Sequence, residues 1–483
     1  MKSHLLIKRC VFLVAGMLLA GSLHAEVSLP RLINSNMVLQ RNTEIVIWGW
    51  ADPGEAVTVH FAGNRQTVRA GKERGWEVNF PSMKAGGPYT MEVVGEENAI
   101  VLDNILVGDV WVCSGQSNME WPLSRAMNAE KEIMEADYPN IRLFDIPRTL
   151  QLTPVDTIPG GEWQECRPAN VPTFSGVGYF FGREIHKEVG VPVGLISSNW
   201  GGTNVETWTS REMAVTVPEM AEKIRDLDDL DNPEEKLRPN DKPTLLYNGM
   251  IHPIIRFPVL GVIWYQGEAN AHNAYAYRER FPNMIRDWRN KWRNPEMGFY
   301  FVQLANFRKE KQEPGESEWA ELREAQLMTL SLPKTGMAVT IDIGEADDIH
   351  PRDKQNVGYR LALAALHDAY GQDIVHSGPL FEFMDKRGSR VILTFRYAES
   401  GLMVSDKYGY VRGFALAGDD REFHWAKGKV EGGTVVLWSD EVPDPVAVRY
   451  GWADNPDVNL YNNVGLPASP FRSDSWPGIT REH

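Results

Sequence analysis

From Leu106 to Tyr370, short apolar runs alternate with amphipathic stretches, and that alternation constrains the fold more than any other feature of the chain. The runs Val107–Cys113, Pro192–Ser198, Val259–Tyr265, Phe299–Leu304 and Met337–Ile341 read as strands buried on both faces. Between them, Val177, Phe180, Phe181 and Ile185 have helical spacing, and so do Phe281, Met284, Ile285, Trp288 and Trp292. Pro282 in the second stretch is expected in a first helical turn, where its missing N–H costs nothing. Trp319–Leu330 and Asp353–Tyr370 read as further helices, the last ended by Gly371. Strands and helices in this order predict an α/β domain, a parallel sheet with helices on both faces.

The flanks have a different texture. Residues 26–105 carry short alternating runs such as Ala56–Phe61 and Trp76–Phe80, separated by turn clusters such as Asp52-Pro53-Gly54. They predict an N-terminal β domain of sandwich type. The boundaries expected are 106–372 for the α/β domain, 373–450 for a C-terminal β segment and 451–483 for a tail that packs back. Residues 1–25 join a basic start (Lys2, Lys8, Arg9) to an apolar core, Val11–Ala20, and a small-residue end at Ala25. That pattern predicts a cleaved signal peptide and a periplasmic or secreted protein. Asp226–Glu235 reads as a solvated acidic loop.

Loss of residues 1–25 takes three positive and no negative residues, so the formal charge moves from −15 to −18. This balance argues against nucleic acid or an anionic membrane as a partner. Cys113 and Cys166 remain, either as a pair or as two buried thiols. The histidines show no metal-ligand spacing, and no phosphate loop or dinucleotide fingerprint is present, so no cofactor and no metal is expected.

In an open parallel sheet, ligands bind outside the carboxyl ends of the strands. Four polar stretches follow strands here: Gln116-Ser117-Asn118, Trp200-Gly201-Gly202-Thr203-Asn204, Gln266-Gly267-Glu268-Ala269-Asn270 and Asp347-Asp348-Ile349-His350. A serine held on a strand exit, a distant histidine and a carboxylate are the parts of an acyl-transfer triad. Asp347 and His350 lie three apart and share a face if that turn is helical. The same spacing in Asp373–His376 lies away from the rim, and His376 reads as a buried or capping histidine. Gly201 and Gly202 allow a backbone N–H to approach an oxyanion, with Gln266, Asn204 or Asn270 as side-chain donors.

These blocks, with Trp264-Tyr265-Gln266-Gly267-Glu268 and Asp347-Asp348-Ile349-His350-Pro351, resemble the motifs of the sialate O-acetylesterase family, a branch of the SGNH (GDSL-like) hydrolases. The resemblance covers roughly residues 106–370. It implies a three-layer α/β/α SGNH-hydrolase domain and a serine esterase acting on O-acetylated carbohydrate. By position, Ser117 is then the nucleophile, His350 the base and Asp347 its orienting acid. The oxyanion hole is expected from the Ser117 N–H, Gly201 or Gly202, and either Gln266 or Asn270. Gln116, Asn118, Trp200 and Glu268 are expected to line the substrate, and Arg125 is the nearest cation in sequence for a sialate carboxylate. Acetylxylan or another plant glycan is the alternative substrate, and a carbohydrate-binding protein with a vestigial triad is the alternative class.

Overall fold

The computed structural model describes residues 26–228, 238, 240 and 242–481. The expected signal peptide and most of the acidic loop lie outside the described residues. Chain order begins with β1 (Val38–Gln40), β2 (Ile45–Trp50), β3 (Ala56–Phe61), β4 (Asn64–Arg69), β5 (Gly75–Phe80) and β6 (Gly86–Val94). Next comes β7 (Ala99–Gly115), the longest strand, followed by β8 (Tyr138–Asp145), β9 (Gln164–Cys166), β10 (Val193–Asn199), β11 (Gly261–Tyr265), β12 (Gly298–Gln303) and β13 (Thr335–Val339).

The sequence of β7 explains its two halves. Residues 99–105 alternate in burial and pair antiparallel with β6, whereas every residue from Leu106 to Gly115 is buried. The second half is the centre of the parallel sheet, whose order is β13-β12-β11-β7-β10-β8-β9, with only β9 antiparallel. A strand half-covered at its start and covered on both faces at its end thus switches from alternating to continuous apolar residues. The expected boundary at 105/106 therefore falls inside one strand. The N-terminal β segment and the α/β region also share one apolar core, while residues 391–471 form a second.

The helix Gly176–Val189 packs on the sheet so closely that a Cβ on Gly178 would lie 3.1 Å from the Cys113 sulfur. Cys113 and Cys166 are separate buried thiols, and burial pushes Cys166 up to about 12. One expectation about a helix is corrected. The helix Ala274–Lys291 starts early enough that Pro282 sits inside it, not in the first turn. Burial of Phe281, Met284, Ile285 and Trp288 on one stripe outweighs the lost backbone hydrogen bond.

The C-terminal strands form small antiparallel sheets, and the tail returns to the α/β region. Arg323, fully buried in the helix Glu318–Met328, donates to the carbonyls of Ala453 and Asp454. Thr480 donates through its N–H to the buried Glu321 carboxylate. Among the described residues, no helix is long and apolar enough to cross a membrane.

Candidate active site

Register brings the strand exits together. Gly115 of β7 lies opposite Asn199 of β10 on one side and Tyr265 of β11 on the other, so three loops leave the sheet at one level. Gly115 has φ +139°, and a Cβ there would come 2.1 Å from the Tyr265 carbonyl oxygen. Only glycine permits this approach, which lets the Gln116 N–H donate to that carbonyl at 2.9 Å. The chain then turns into α1 (Ser117–Glu120), presenting Ser117 half-buried at its first position.

His350 comes from the loop after β13, three strands away in the sheet, a span of roughly 14 Å at normal strand spacing. That loop is pinned on its way. The Gly344 N–H donates to Asn306 Oδ1 at 2.7 Å, the Arg308 N–H to the Ala346 carbonyl at 2.9 Å, and Asn118 Nδ2 to the Ile349 carbonyl at 3.0 Å. The result places His350 Nε2 2.9 Å from Ser117 Oγ. The Trp121 ring stacks on the imidazole, centroids 4.9 Å apart and planes 14° from parallel, and so fixes its tilt.

The carboxylate is corrected by one residue. Asp348, not Asp347, reaches the imidazole, with Oδ1 3.4 Å from Nδ1. The same oxygen accepts the His350 backbone N–H at 2.8 Å. The segment is an irregular turn, so the helical spacing that favoured Asp347 does not apply, and Asp347 points into solvent. Burial lowers the His350 pKa below its ordinary 6.5; Asp348 opposes this and the Lys354 charge adds to it. A base must be neutral, so with His350 as the base kcat/KM is expected to fall about tenfold per pH unit below a midpoint under 6.5. A pH profile with its acid midpoint above 7 would contradict this.

The expected oxyanion donors divide. The Ser117 and Gly202 N–H groups have no acceptor among the described residues. The Gly201 N–H donates to Glu120 Oε2 at 2.8 Å, and the other Glu120 oxygen pairs with Arg148, whose guanidinium lies over the Trp200 ring. Gly201 nevertheless lies against Ser117: a Cβ there would be 3.3 Å from Ser117 Cβ.

Gln266 and Asn270 are turned away from this role. Gln266 Nε2 donates to Asn270 Oδ1 (2.7 Å) and the Thr203 carbonyl (3.1 Å), and its oxygen accepts from Tyr277 (2.9 Å). Asn270 Oδ1 also accepts the Val205 N–H at 3.0 Å, and its Nδ2 donates to Glu206 at 3.0 Å. Both are buried, and their work is to tie the loop after β11 to the loop after β10. The third amide, Asn204, is half-buried and has no side-chain partner among the described residues.

Three expected substrate contacts are corrected as well. Gln116 is buried and accepts the N–H groups of Gly267 (3.4 Å) and Ala269 (3.3 Å). Asn118 is buried beneath Ser117 and donates to Glu268 Oε1 at 2.5 Å, so neither side chain of that pair is offered to a ligand. Trp200 is half-buried after β10, and Arg125 is exposed over the Trp121 ring at 5.6 Å. His376 stacks on His367 near the far end of the helix Lys354–Asp368, roughly 20 Å from its start. Sequence reading overlooked Trp121 and Lys354; an aromatic four residues after the serine was the available signal for the first.

A strand-exit serine, a histidine at hydrogen-bond distance and a carboxylate behind it, on an α/β sheet, are an arrangement suited to an ester hydrolase. Residues 107–367 match the family described as "Carbohydrate esterase, sialic acid-specific acetylesterase". The sialate O-acetylesterase of Mus musculus is 32% identical over 504 residues, covering 91% of this chain and 93% of the mouse protein. That of Homo sapiens is 30% identical over 499 residues, covering 92% and 93%. The crystal structure of a carbohydrate acetylesterase from Xanthomonas citri is 44% identical, with a TM-score of 0.86, covering 93% of this chain and all of the other. The chain belongs to the sialic acid-specific acetylesterase family of carbohydrate esterases.

Proposed function

We propose that this esterase removes O-acetyl groups from O-acetylated sialic acids through an acetyl-serine intermediate. The observation that carries the mechanism is the 2.9 Å approach of Ser117 Oγ to His350 Nε2, between residues 233 apart in sequence. Ser117 Oγ attacks the acetyl carbonyl carbon as its proton passes to His350 Nε2. The imidazolium then gives that proton to the departing sugar oxygen. Water attacks the acetyl-serine, again losing its proton to His350, and acetate leaves as Ser117 is restored. Asp348 orients the ring and balances the imidazolium. The oxyanion falls to the Ser117 N–H and the 201–204 loop, where Gly202 and Asn204 have donors to offer and Gly201 gains one if Glu120 lets go.

For the substrate, Arg125 is the cation best suited to a sialate carboxylate. It has no ion-pair partner among the described residues and lies over Trp121, the ring stacked on His350. Arg148 is already held by Glu120. Residues 1–25 support export to the periplasm or beyond, where such glycans are met.

Acetate release from O-acetylated sialic acid and from acetylxylan, measured side by side, tests the assignment. A kcat/KM at least about tenfold higher on the sialate is expected, and Arg125→Gln should raise KM for it while leaving a neutral chromogenic acetate unaffected. Faster turnover of acetylxylan would reassign the substrate. Glycan binding without acetate release from either would favour the non-catalytic alternative.

A further inference from the structure

Lys354 opens the helix Lys354–Asp368, and its side chain has 0% exposure. Lysine is almost never so fully buried unless paired, yet no carboxylate lies within ion-pair distance of it among the described residues. Its Nζ instead donates to Asn118 Oδ1 at 2.5 Å and lies over the rings of Trp121 and Tyr265, at 5.7 and 5.4 Å. A methionine would fill the same volume without the cost of desolvating a charge, so packing alone does not account for an ammonium here.

The groups Lys354 touches hold the serine and histidine loops in turn. Asn118, whose oxygen accepts the Lys354 N–H, follows Ser117 in sequence and donates in turn to the Ile349 carbonyl, next to His350. The second Asn118 hydrogen goes to Glu268, after β11. One amide therefore joins the serine turn, the histidine loop and the β11 exit, and Lys354 fixes which way that amide faces. With its oxygen held by Lys354, only its NH₂ can point to Ile349 and Glu268. Trp121, against which the ammonium lies, is also the ring that sets the imidazole plane.

Resting on the esterase reading above, we infer that Lys354 is a positioning residue of this reaction: from beneath the Ser117–His350 pair it locks Asn118 and thereby both catalytic loops. The charges facing Lys354 are Glu268 after β11, Asp348 and Glu345 on the histidine loop, and Asp353 at the helix cap; the Tyr265 phenol also lines its pocket. Those facing His350 are Asp348 and Glu120, which favour a proton on the imidazole, and Lys354 itself, whose positive charge disfavours it. Burial lowers the Lys354 pKa to about 7 even against the upward pull of the four carboxylates, so the ammonium form predominates on the acid side of that value.

Two variants separate charge from packing. Lys354→Met removes the charge and keeps the volume. Asn118→Asp keeps the lysine and adds a negative charge above it. In each, the acid limb of kcat/KM on a chromogenic acetate should move to higher pH by roughly half a unit to one unit. In Lys354→Met, kcat should also fall about tenfold or more with KM little changed, while Lys354→Arg keeps the limb in place. Folding is checked by thermal unfolding and near-UV circular dichroism, and either folded variant suffices. An acid limb that stays within 0.2 units of wild type (about the precision of such a profile) in a folded variant overturns the inference. Failure of the esterase reading looks different: wild type would then release no acetate, or Ser117→Ala would release it as well.

Discussion

Ser117→Ala should lower kcat for acetate-ester hydrolysis by about 10³-fold or more while leaving the protein folded. The two halves of that expectation rest on separate observations. The hydroxyl has one described partner, His350 Nε2, and Ser117 is half-buried, so its removal strands no deeply buried polar group. Loss of one such hydrogen bond costs on the order of 1 kcal/mol, within what a chain of this size absorbs. In the proposed mechanism the chemistry, by contrast, loses its nucleophile, and neither described cysteine can replace it. The buried Cys113 and Cys166 are held as thiols, and neither lies on a strand-exit loop. The N–H donors of the site survive the substitution, so a small residual rate over water is expected. The measurement is kcat on a chromogenic acetate together with Tm. A folded Ser117→Ala protein with more than about a tenth of wild-type kcat would remove the serine from the mechanism.

The sequence shows the site's architecture more clearly than its hydrogen bonds. Five of the six parallel strands and the exit glycine can be read because burial on both faces writes a continuous apolar run, and a glycine followed by polar residues ends it. The order of the catalytic loops follows, since a parallel sheet puts every strand exit on one rim. β8 was missed: Tyr138–Asp145 contains Pro139, Asn140 and Arg142, and only its later residues are continuously buried. Arg142 is accommodated there by donating to the carbonyls of Pro139, Asn36 and Asn104, a compensation no local pattern announces.

Amide side chains mark the limit of what sequence conveys. Gln116, Asn118, Gln266 and Asn270 all stand on the right loops, yet each faces inward and binds a neighbouring loop. Composition identifies them as donors but says nothing of direction, which is set by partners 60 to 240 residues away. The strand exits of a parallel sheet leave backbone groups that must be satisfied, and buried amides do this with both a donor and an acceptor. Residues that look like oxyanion donors are thus equally suited to be the struts between loops, and here they are struts.

The carboxylate is the other place where local geometry overrides spacing, and it supports the second large effect. Asp348→Asn is expected to lower kcat/KM about 10²-fold, whereas Asp347→Asn should stay within about twofold of wild type. Asp348 Oδ1 accepts the backbone N–H two residues on, the pattern of an Asx turn, and this bond aims the carboxylate at Nδ1. Asn can keep that turn, so the substitution removes charge with little change of shape. Without the carboxylate the imidazolium formed in the transition state loses its nearest negative group. The loss is set below that of a fully buried triad acid, because Asp348 is half exposed and sits 3.4 Å from the ring. The sign of the pH effect is a further check. Asp348 raises the His350 pKa, so Asp348→Asn should move the acid limb to lower pH, opposite to Lys354→Met. Kinetics of both aspartate variants between pH 4.5 and 8 (roughly two units either side of an ordinary histidine) decide the matter. A crippled Asp347→Asn beside a near-normal Asp348→Asn would return the role to Asp347 and require the loop to rearrange when substrate binds.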